Sequence, residues 1–583
     1  MSGLRRAAVS VTAVGAVAAA MLPQSAFADT AASAAFVEER VYVETTVDTD
    51  GDGKRDRVAI DISRPNGSDK VPVIFEHTPY KTGLGDVPNH GVDLAKLPQE
   101  TGRRPGIANG PVPRRVVPEP QLSGWLDDHF APLGYAAISG QSVGTGASDG
   151  CPTTGDMGET AGAVAVIDWL NGRAKGFSSS GAEVKATWST GNVGMTGISY
   201  NGTLPNMAAT TGVPGLKAIV PVAAIGDWYD YYRANGLVVA PGGYQGEDAD
   251  ILARAVRNKR PGCTAQFSKL NKAQDRVTGD HSAFWAARDY VNKADKVKAG
   301  VFVVHGLNDW NVKGKNAATW YEALRKNDVP RRIWWHRGKH DDPRSHRSDY
   351  AKEVQRWFDH FLKGVDNGVT NEPKAEVQGP DGNWRKLAEW PDPAAKDVEL
   401  HLGATSATAP GTLTGSANPS ASEQSFTDEG KTKGAGVLVA NPDQANGNRL
   451  VYRAAALAGQ ASLSGTPKVK LRLAVENKTA ANLTVLVVDY TSSGTPTIVT
   501  RGWMDPQNHA GIQGTPLTPG KAYDLSFNLE PKDYVFAKGS RIGVVIISTD
   551  YDFTLRPAAG TKLRVAPGAS SVTLPLAGYS ARP

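Results

Sequence analysis

Residues 41–47 alternate apolar and polar positions, and residues 57–62 do so again, the period-two pattern of strands with one buried face. Further along the alternation stops. Residues 71–77, 134–139, 216–223 and 301–305 are short runs that are apolar almost throughout, as in strands covered on both faces. A shorter strand is predicted over 332–335. Helices are predicted over 159–170, closed by Asn171-Gly172, and over 200–211, 315–326 and 350–362. Strands alternating with helices imply βαβ units and a mainly parallel sheet. Residues 228–290 break this rhythm. They are rich in aromatics, Arg and Asp, read as mostly helical, and fall between two sheet strands. They are expected to form a cap over the C-terminal edge of the sheet, where open α/β sheets bind ligands. Beyond about residue 391 the helical pattern disappears, and strand-like runs recur at 468–475, 483–490 and 542–549. That texture predicts an all-β sandwich or jelly roll. The fold class is α/β, with a first domain over 29–390 that carries the 228–290 cap and a jelly-roll domain over 391–583.

Length and composition agree with this division. A chain of 583 residues exceeds what one core supports. Its hydrophobic content of 40% and charged content of 21% are those of an ordinary globular protein. A net charge of +5 is small for this length and gives no reason to invoke nucleic acid or a membrane surface. The first residues read as an export signal: Arg5 and Arg6, an apolar run over 7–22, and Ala26-Phe27-Ala28 as a cleavage site. Residues 1–28 are expected to be a signal peptide, leaving a secreted, extracellular protein free of the membrane. Cys151 and Cys263 are compatible with one bridge in an oxidising compartment and equally with two separate thiols.

Two glycine-rich stretches need sorting. Asp48-Thr49-Asp50-Gly51-Asp52-Gly53 begins like a calcium loop, but the twelfth position, where such a loop carries a bidentate Glu, is Ala59. The simpler reading is a tight Asp/Gly turn, and neither a metal nor another cofactor is expected. Residues 140–146 lack the G-K-[ST] ending of a phosphate cradle and read as a sharp strand exit. Residues 83–120, rich in Pro, Gly and Arg, read as a long loop.

The candidate chemistry centres on Gly197-Ile198-Ser199-Tyr200-Asn201-Gly202. An apolar strand stops at a serine and restarts as a helix, with small residues where the backbone doubles back. The usual nucleophile elbow is G-x-S-x-G; here the second glycine comes one residue later. A serine nucleophile needs a base, a carboxylate that orients the base, and oxyanion donors. Asp309 lies 110 residues after Ser199, just past an apolar strand, and His340 lies 31 residues further, past the next. This is the Ser…Asp…His order of α/β-hydrolases. His305 and His336 lie at strand ends and read as core histidines. His346 is the nearby rival to His340, while Asp341 and Asp342 follow the histidine and break the order. The first oxyanion donor is the backbone N–H of Tyr200, and the Tyr80 hydroxyl is a candidate for the second.

Longer motifs surround these positions. They are Gly197-Ile198-Ser199-Tyr200-Asn201-Gly202-Thr203, Trp228-Tyr229-Asp230-Tyr231-Tyr232-Arg233-Ala234-Asn235-Gly236-Leu237, Pro241-Gly242-Gly243-Tyr244-Gln245-Gly246-Glu247-Asp248, His305-Gly306-Leu307-Asn308-Asp309-Trp310-Asn311-Val312 and His336-Arg337-Gly338-Lys339-His340. Together they resemble the Xaa-Pro dipeptidyl-peptidases of the S15 serine peptidase family over about residues 41–367. The resemblance implies an α/β-hydrolase with a helical cap and a C-terminal jelly roll. It implies Ser199, Asp309 and His340 as the triad, Tyr80 and Tyr200 as oxyanion donors, Glu247 on the substrate's free ammonium, and Trp228 and Tyr231 along the proline pocket. Substrates would be peptides with proline at the second position. The large helical N-terminal domain of the lactic-acid-bacterial members finds no match in this sequence, so their mode of dimerisation is not carried over and no oligomeric state is read. Two other readings compete. Cocaine esterase and the α-amino acid ester hydrolases share the elbow, the tyrosine donor and the jelly roll. A non-catalytic binding protein whose jelly roll docks polysaccharide is the third, and the intact triad order argues against it.

Overall fold

The computed structural model describes residues 35–97, 125–258 and 260–580. The expected signal segment and residues 98–120 of the expected loop lie outside them. Ten main strands build the first sheet: β1 (Phe36–Glu44), β2 (Arg57–Pro65), β3 (Val71–Thr78), β4 (Ala136–Gln141), β5 (Ser189–Ile198), β6 (Leu216–Val222), β7 (Gly300–Gly306), β8 (Arg331–His336), β9 (Ala375–Gln378) and β10 (Trp384–Leu387). Their order is β10-β9-β8-β7-β6-β5-β3-β4-β2-β1, with two-residue strands Gly176–Phe177 and Glu183–Val184 beyond β1. From β9 to β4 every neighbour is parallel, while β2 on β4 and β1 on β2 are antiparallel. The β1 strand starts five residues before the alternating segment and ends at Glu44, because Thr45 turns away to pair its N–H with Asp56 O at 2.9 Å.

The apolar runs are continuous because both faces of the sheet are covered. Val73, Phe75, Val301, Val303, Ile333 and Trp335 point into one core, while Ile74, Phe302, Val304 and Trp334 point into the opposite one. Helices α1 (Met157–Leu170), α2 (Tyr200–Ala209) and α3 (Lys315–Lys326) fill the first core with Val166, Leu204, Met207, Trp320 and Leu324. Helix α4 (Tyr350–Lys363) fills the second with Val354, Trp357, Phe358 and Leu362, spaced three and four apart along one stripe. This helix stops at Gly364, which takes φ 70°.

The inserted segment is less helical than the sequence predicts: it carries four short helices, Trp228–Tyr232, Ala249–Val256, Thr264–Ala273 and Ala283–Ala286, a two-stranded ribbon of Arg233–Ala234 with Leu237–Val238, and irregular chain between them. Charge pairing and a covalent tie hold it. Arg233 and Asp248, both fully buried, pair at 2.8 Å, and Arg276 reaches the same carboxylate at 3.3 Å. Cys151 and Cys263 form a disulfide, packed with Ala253, Phe267 and Leu270, which joins the cap to the loop before α1. The Asp48–Asp56 segment is the β1–β2 turn. The carboxylates of Asp48, Asp50 and Asp56 converge to within 4.8 Å of one another. Asp48 accepts from Gly51 N at 2.7 Å and Gly53 N at 2.9 Å, and Asp56 from Thr49 N at 2.8 Å, so these oxygens close the turn itself.

The second sheet is all-β and begins with the strand Lys396–Gly403; its core includes Leu463, Leu471, Val485, Val487, Val544 and Leu574. It packs against the cap and against the loop after β7. Trp310 sits 5.7 Å from Phe553 and 6.4 Å from Trp503, and Ala240 N donates to Phe553 O at 2.7 Å. No described helix is long and apolar enough to cross a membrane.

Candidate active site

The geometry of the elbow accounts for its sequence. Strand β5 ends at Ile198, and Ser199 takes φ 66°, ψ −125° before α2 begins at Tyr200. A non-glycine residue held in such a region costs about 1–3 kcal/mol, which the surrounding packing must hold in place. A side chain at Gly197 would put its Cβ 2.6 Å from the Cβ of Asn201. At Gly202 it would meet Val222 O at 2.6 Å and Gly197 O at 2.7 Å. The second glycine therefore falls where α2 crosses the end of β6, three residues past the serine. Ser199 N is tied to Val222 O at 2.8 Å, and the Thr203 hydroxyl donates to Ser199 O at 3.0 Å. The N–H of Tyr200 lies in the first turn of α2, where no intrahelical acceptor exists.

Parallel strands β7 and β8 deliver the other two groups. Asp309, three residues past β7, has a fully buried side chain. Its Oδ1 accepts the N–H groups of Asn311 at 2.9 Å and Val312 at 3.0 Å. Its Oδ2 lies 2.7 Å from Nδ1 of His340, four residues past β8. That pairing places the proton on Nδ1 and leaves Nε2 as the basic nitrogen. Of the competing histidines, His305 also stands near Asp309, its Nε2 3.8 Å from Oδ2 but beyond hydrogen-bond reach. His305 Nε2 contacts Val312 O at 2.9 Å, and His336 Nδ1 accepts from Gly338 N at 3.2 Å. Burial holds both imidazoles below their usual range, His336 at about 3, so both are neutral. His346 stacks on His336 at 4.4 Å and pairs with Asp341 at 3.2 Å.

Tyr80, two residues past β3, stands edge-on to Tyr200 at 6.0 Å. The Tyr200 phenol turns the other way and donates to Glu159 Oε2 at 2.7 Å, leaving only its backbone N–H for the elbow. Tyr231 is almost fully buried and donates to Asn311 Oδ1 at 2.8 Å, next to the Asp309 turn. Burial, with the Glu247 carboxylate next in weight, pushes the Tyr231 phenol well above its ordinary value. Glu247 is 5% exposed and accepts from the Tyr232 hydroxyl at 3.1 Å. Trp228 has no exposed surface. It packs edge-on to Tyr200 at 5.0 Å and to Tyr231 at 5.7 Å, and its indole N–H is fixed on Tyr290 Oη at 2.8 Å. Trp228 is therefore packed behind Tyr231 and Tyr200 and, contrary to the expectation, offers no surface that could line a pocket.

The family model of the X-Pro dipeptidyl-peptidases (S15 family) matches residues 50–342, and that of their C-terminal non-catalytic domain matches residues 367–577. A protein of Bacillus cereus is 49% identical over 549 residues, 93% of this chain and 90% of its own. The chain belongs to the S15 family of X-Pro dipeptidyl-peptidases. A Xaa-Pro dipeptidyl-peptidase of Lacticaseibacillus casei is 34% identical over 92% of this chain and 76% of its own. Among solved structures, a CocE/NonD family hydrolase from Staphylococcus aureus superposes with a TM-score of 0.65 at 17% identity, covering 92% of this chain and 93% of that one. At that identity the likeness shows the α/β-hydrolase fold alone.

Several residues around this S15-family site are assigned no role from the sequence alone. Glu159 lies in the first turn of α1, where an acidic residue is unremarkable, yet it is fully buried under Tyr200 and takes a second hydrogen bond from Gly155 N at 2.8 Å. Asn311 links Tyr231 to the Asp309 turn. Asn308 joins the Asp309 loop to the His340 loop: its N–H donates to Gly338 O at 3.0 Å and its side-chain amide to Arg337 O at 2.6 Å.

Proposed function

We propose that this protein is a secreted serine exopeptidase that releases N-terminal Xaa-Pro dipeptides through an acyl-enzyme. The observation that carries the reading is the 2.7 Å contact of His340 with a buried Asp309, made by loops that leave β7 and β8 at the same edge of the parallel sheet as the Ser199 elbow after β5. His340 Nε2 takes the proton of Ser199 Oγ as the oxygen attacks the carbonyl of the second residue. The developing oxyanion is held by the Tyr200 N–H and the Tyr80 hydroxyl, each donor typically worth ~3 kcal/mol in the transition state. The proton then passes to the leaving amine, and water repeats the sequence on the ester.

Glu247 supports the dipeptide reading. A carboxylate buried beside Tyr231 and Tyr232 suits a substrate ammonium two residues from the scissile bond, and the flat Tyr231 ring suits a pyrrolidine. The test is hydrolysis of Gly-Pro-p-nitroanilide beside its N-acetyl derivative and p-nitrophenyl acetate. Rapid cleavage of the free dipeptide and very poor cleavage of the blocked one is expected. Faster turnover of simple esters than of Gly-Pro-p-nitroanilide moves an ester hydrolase ahead. Export is tested by N-terminal sequencing of protein from culture supernatant, with Asp29 expected as the first residue.

A further inference from the structure

The matched family model calls the C-terminal domain non-catalytic, yet one of its side chains reaches the catalytic loops. Lys532 opens the strand Lys532–Phe536 and is 6% exposed. Its ammonium donates to Leu307 O and, at 2.8 Å, to Asn308 Oδ1. Leu307 and Asn308 immediately precede Asp309. The Asn308 amide that accepts from Lys532 donates its own N–H to Arg337 O, three residues before His340. One cation thus fixes the orientation of the amide that ties the aspartate loop to the histidine loop. The rest of the domain surface supports the same segment: Arg501 lies over the Trp310 ring at 5.1 Å, and Trp503 and Phe553 pack against that ring.

We propose that Lys532 is a positioning residue for the triad, acting through Asn308, so that the C-terminal domain contributes to turnover. The proposal rests on the serine-hydrolase reading of the site and not on the choice between peptide and ester. The ammonium also has its own titration. Burial and the facing Arg337 and Arg501 push Lys532 down to about 8, against the pull of Glu530. The Asp309–His340 pair lies on the loops it holds.

The experiment compares wild type with Lys532→Met, which keeps the length of the side chain and removes the charge. Loss of loop placement lowers kcat while leaving substrate contacts in place. The expected result on Gly-Pro-p-nitroanilide and on p-nitrophenyl acetate is a fall in kcat of at least tenfold with KM within about threefold. Fluorophosphonate labelling of Ser199 slows in parallel. On the acetate ester, which has no amine to titrate, wild-type activity changes near pH 8 and this limb disappears in the variant. A kcat within twofold of wild type, or an unchanged alkaline limb, overturns the proposal. If Lys532→Met does not fold, Asn308→Ala keeps the cation and removes the bridging amide. The same kcat-specific loss is then expected, and wild-type kcat overturns the proposal. A wild type that cleaves the ester but not Gly-Pro-p-nitroanilide sinks the dipeptidyl-peptidase reading and leaves this test standing on the ester. A wild type inert to both substrates and to the fluorophosphonate overturns both.

Discussion

Replacing Glu159 by Gln tests the packing under the elbow through its pH dependence. The carboxyl is fully buried, with Oε2 shared between the Tyr200 hydroxyl and Gly155 N. Burial pushes it from 4.5 up to about 7, and the two hydrogen bonds only partly oppose that. Between those values the native protein keeps a proton that the unfolded chain has released, so stability falls as pH rises through the window. At about 1.4 kcal/mol per unit, the penalty grows by about 2.5 kcal/mol between pH 5 and pH 8. Glu159→Gln cannot ionise and escapes this loss. Whatever the amide costs in imperfect hydrogen bonding is the same at both pH values and cancels in the comparison. For an unfolding unit of about 360 residues, at ~2 cal/mol/K per residue, 2.5 kcal/mol corresponds to about 3 °C. Differential scanning calorimetry should therefore find Tm of the variant minus Tm of wild type about 3 °C more positive at pH 8 than at pH 5. A difference that is equal at the two pH values, or larger at pH 5, refutes the reasoning.

Four further outcomes are expected. Ser199→Ala should keep its Tm and lose up to ~10⁶ in kcat/KM, and adding His340→Ala or Asp309→Asn should cost little more because the three act as a unit; full additivity would contradict the triad. Glu247→Gln should lose most activity on Gly-Pro-p-nitroanilide and hardly any on the N-acetyl substrate. The coupling between the two changes approaches the ~3–5 kcal/mol of a stranded buried charge, and a coupling near zero removes the ammonium role. Reducing the Cys151–Cys263 bridge, or replacing both residues by Ser, opens a loop with a sequence separation of 112 and should lower stability by up to about 4–5 kcal/mol, read as a fall in Tm. Gly202→Ala places a Cβ 2.6 Å from Val222 O and should abolish fluorophosphonate labelling or folding, whereas labelling at the wild-type rate would show that the elbow has more room than its geometry implies.

The layered catalytic domain was legible in the sequence because its rules are local. A strand covered by helices on both faces must be apolar at successive positions, as in β3 and β7, and the covering helices repeat every three or four residues, as in α4. The elbow was legible for the same reason: Gly197 and Gly202 answer to steric contacts within a few residues of Ser199 and with the end of β6. The order of Ser199, Asp309 and His340 followed from strand ends, since a parallel sheet brings successive C-terminal loops to one edge. Other decisions belonged to the tertiary structure. Chain order left both His340 and His346 open; the loops after β7 and β8 put His340 on Asp309 and left His346 to Asp341. The bridge between Cys151 and Cys263 and the complete burial of Trp228 depend on how the cap settles over the sheet, and the hold of Glu159 on Tyr200 on how α1 packs beside α2. Lys532 is the extreme case, 224 residues from the Asn308 it touches. Side chains reach only a few ångströms, so such partners are chosen by where the two sheets and their loops meet, and that meeting leaves no periodic trace along the chain.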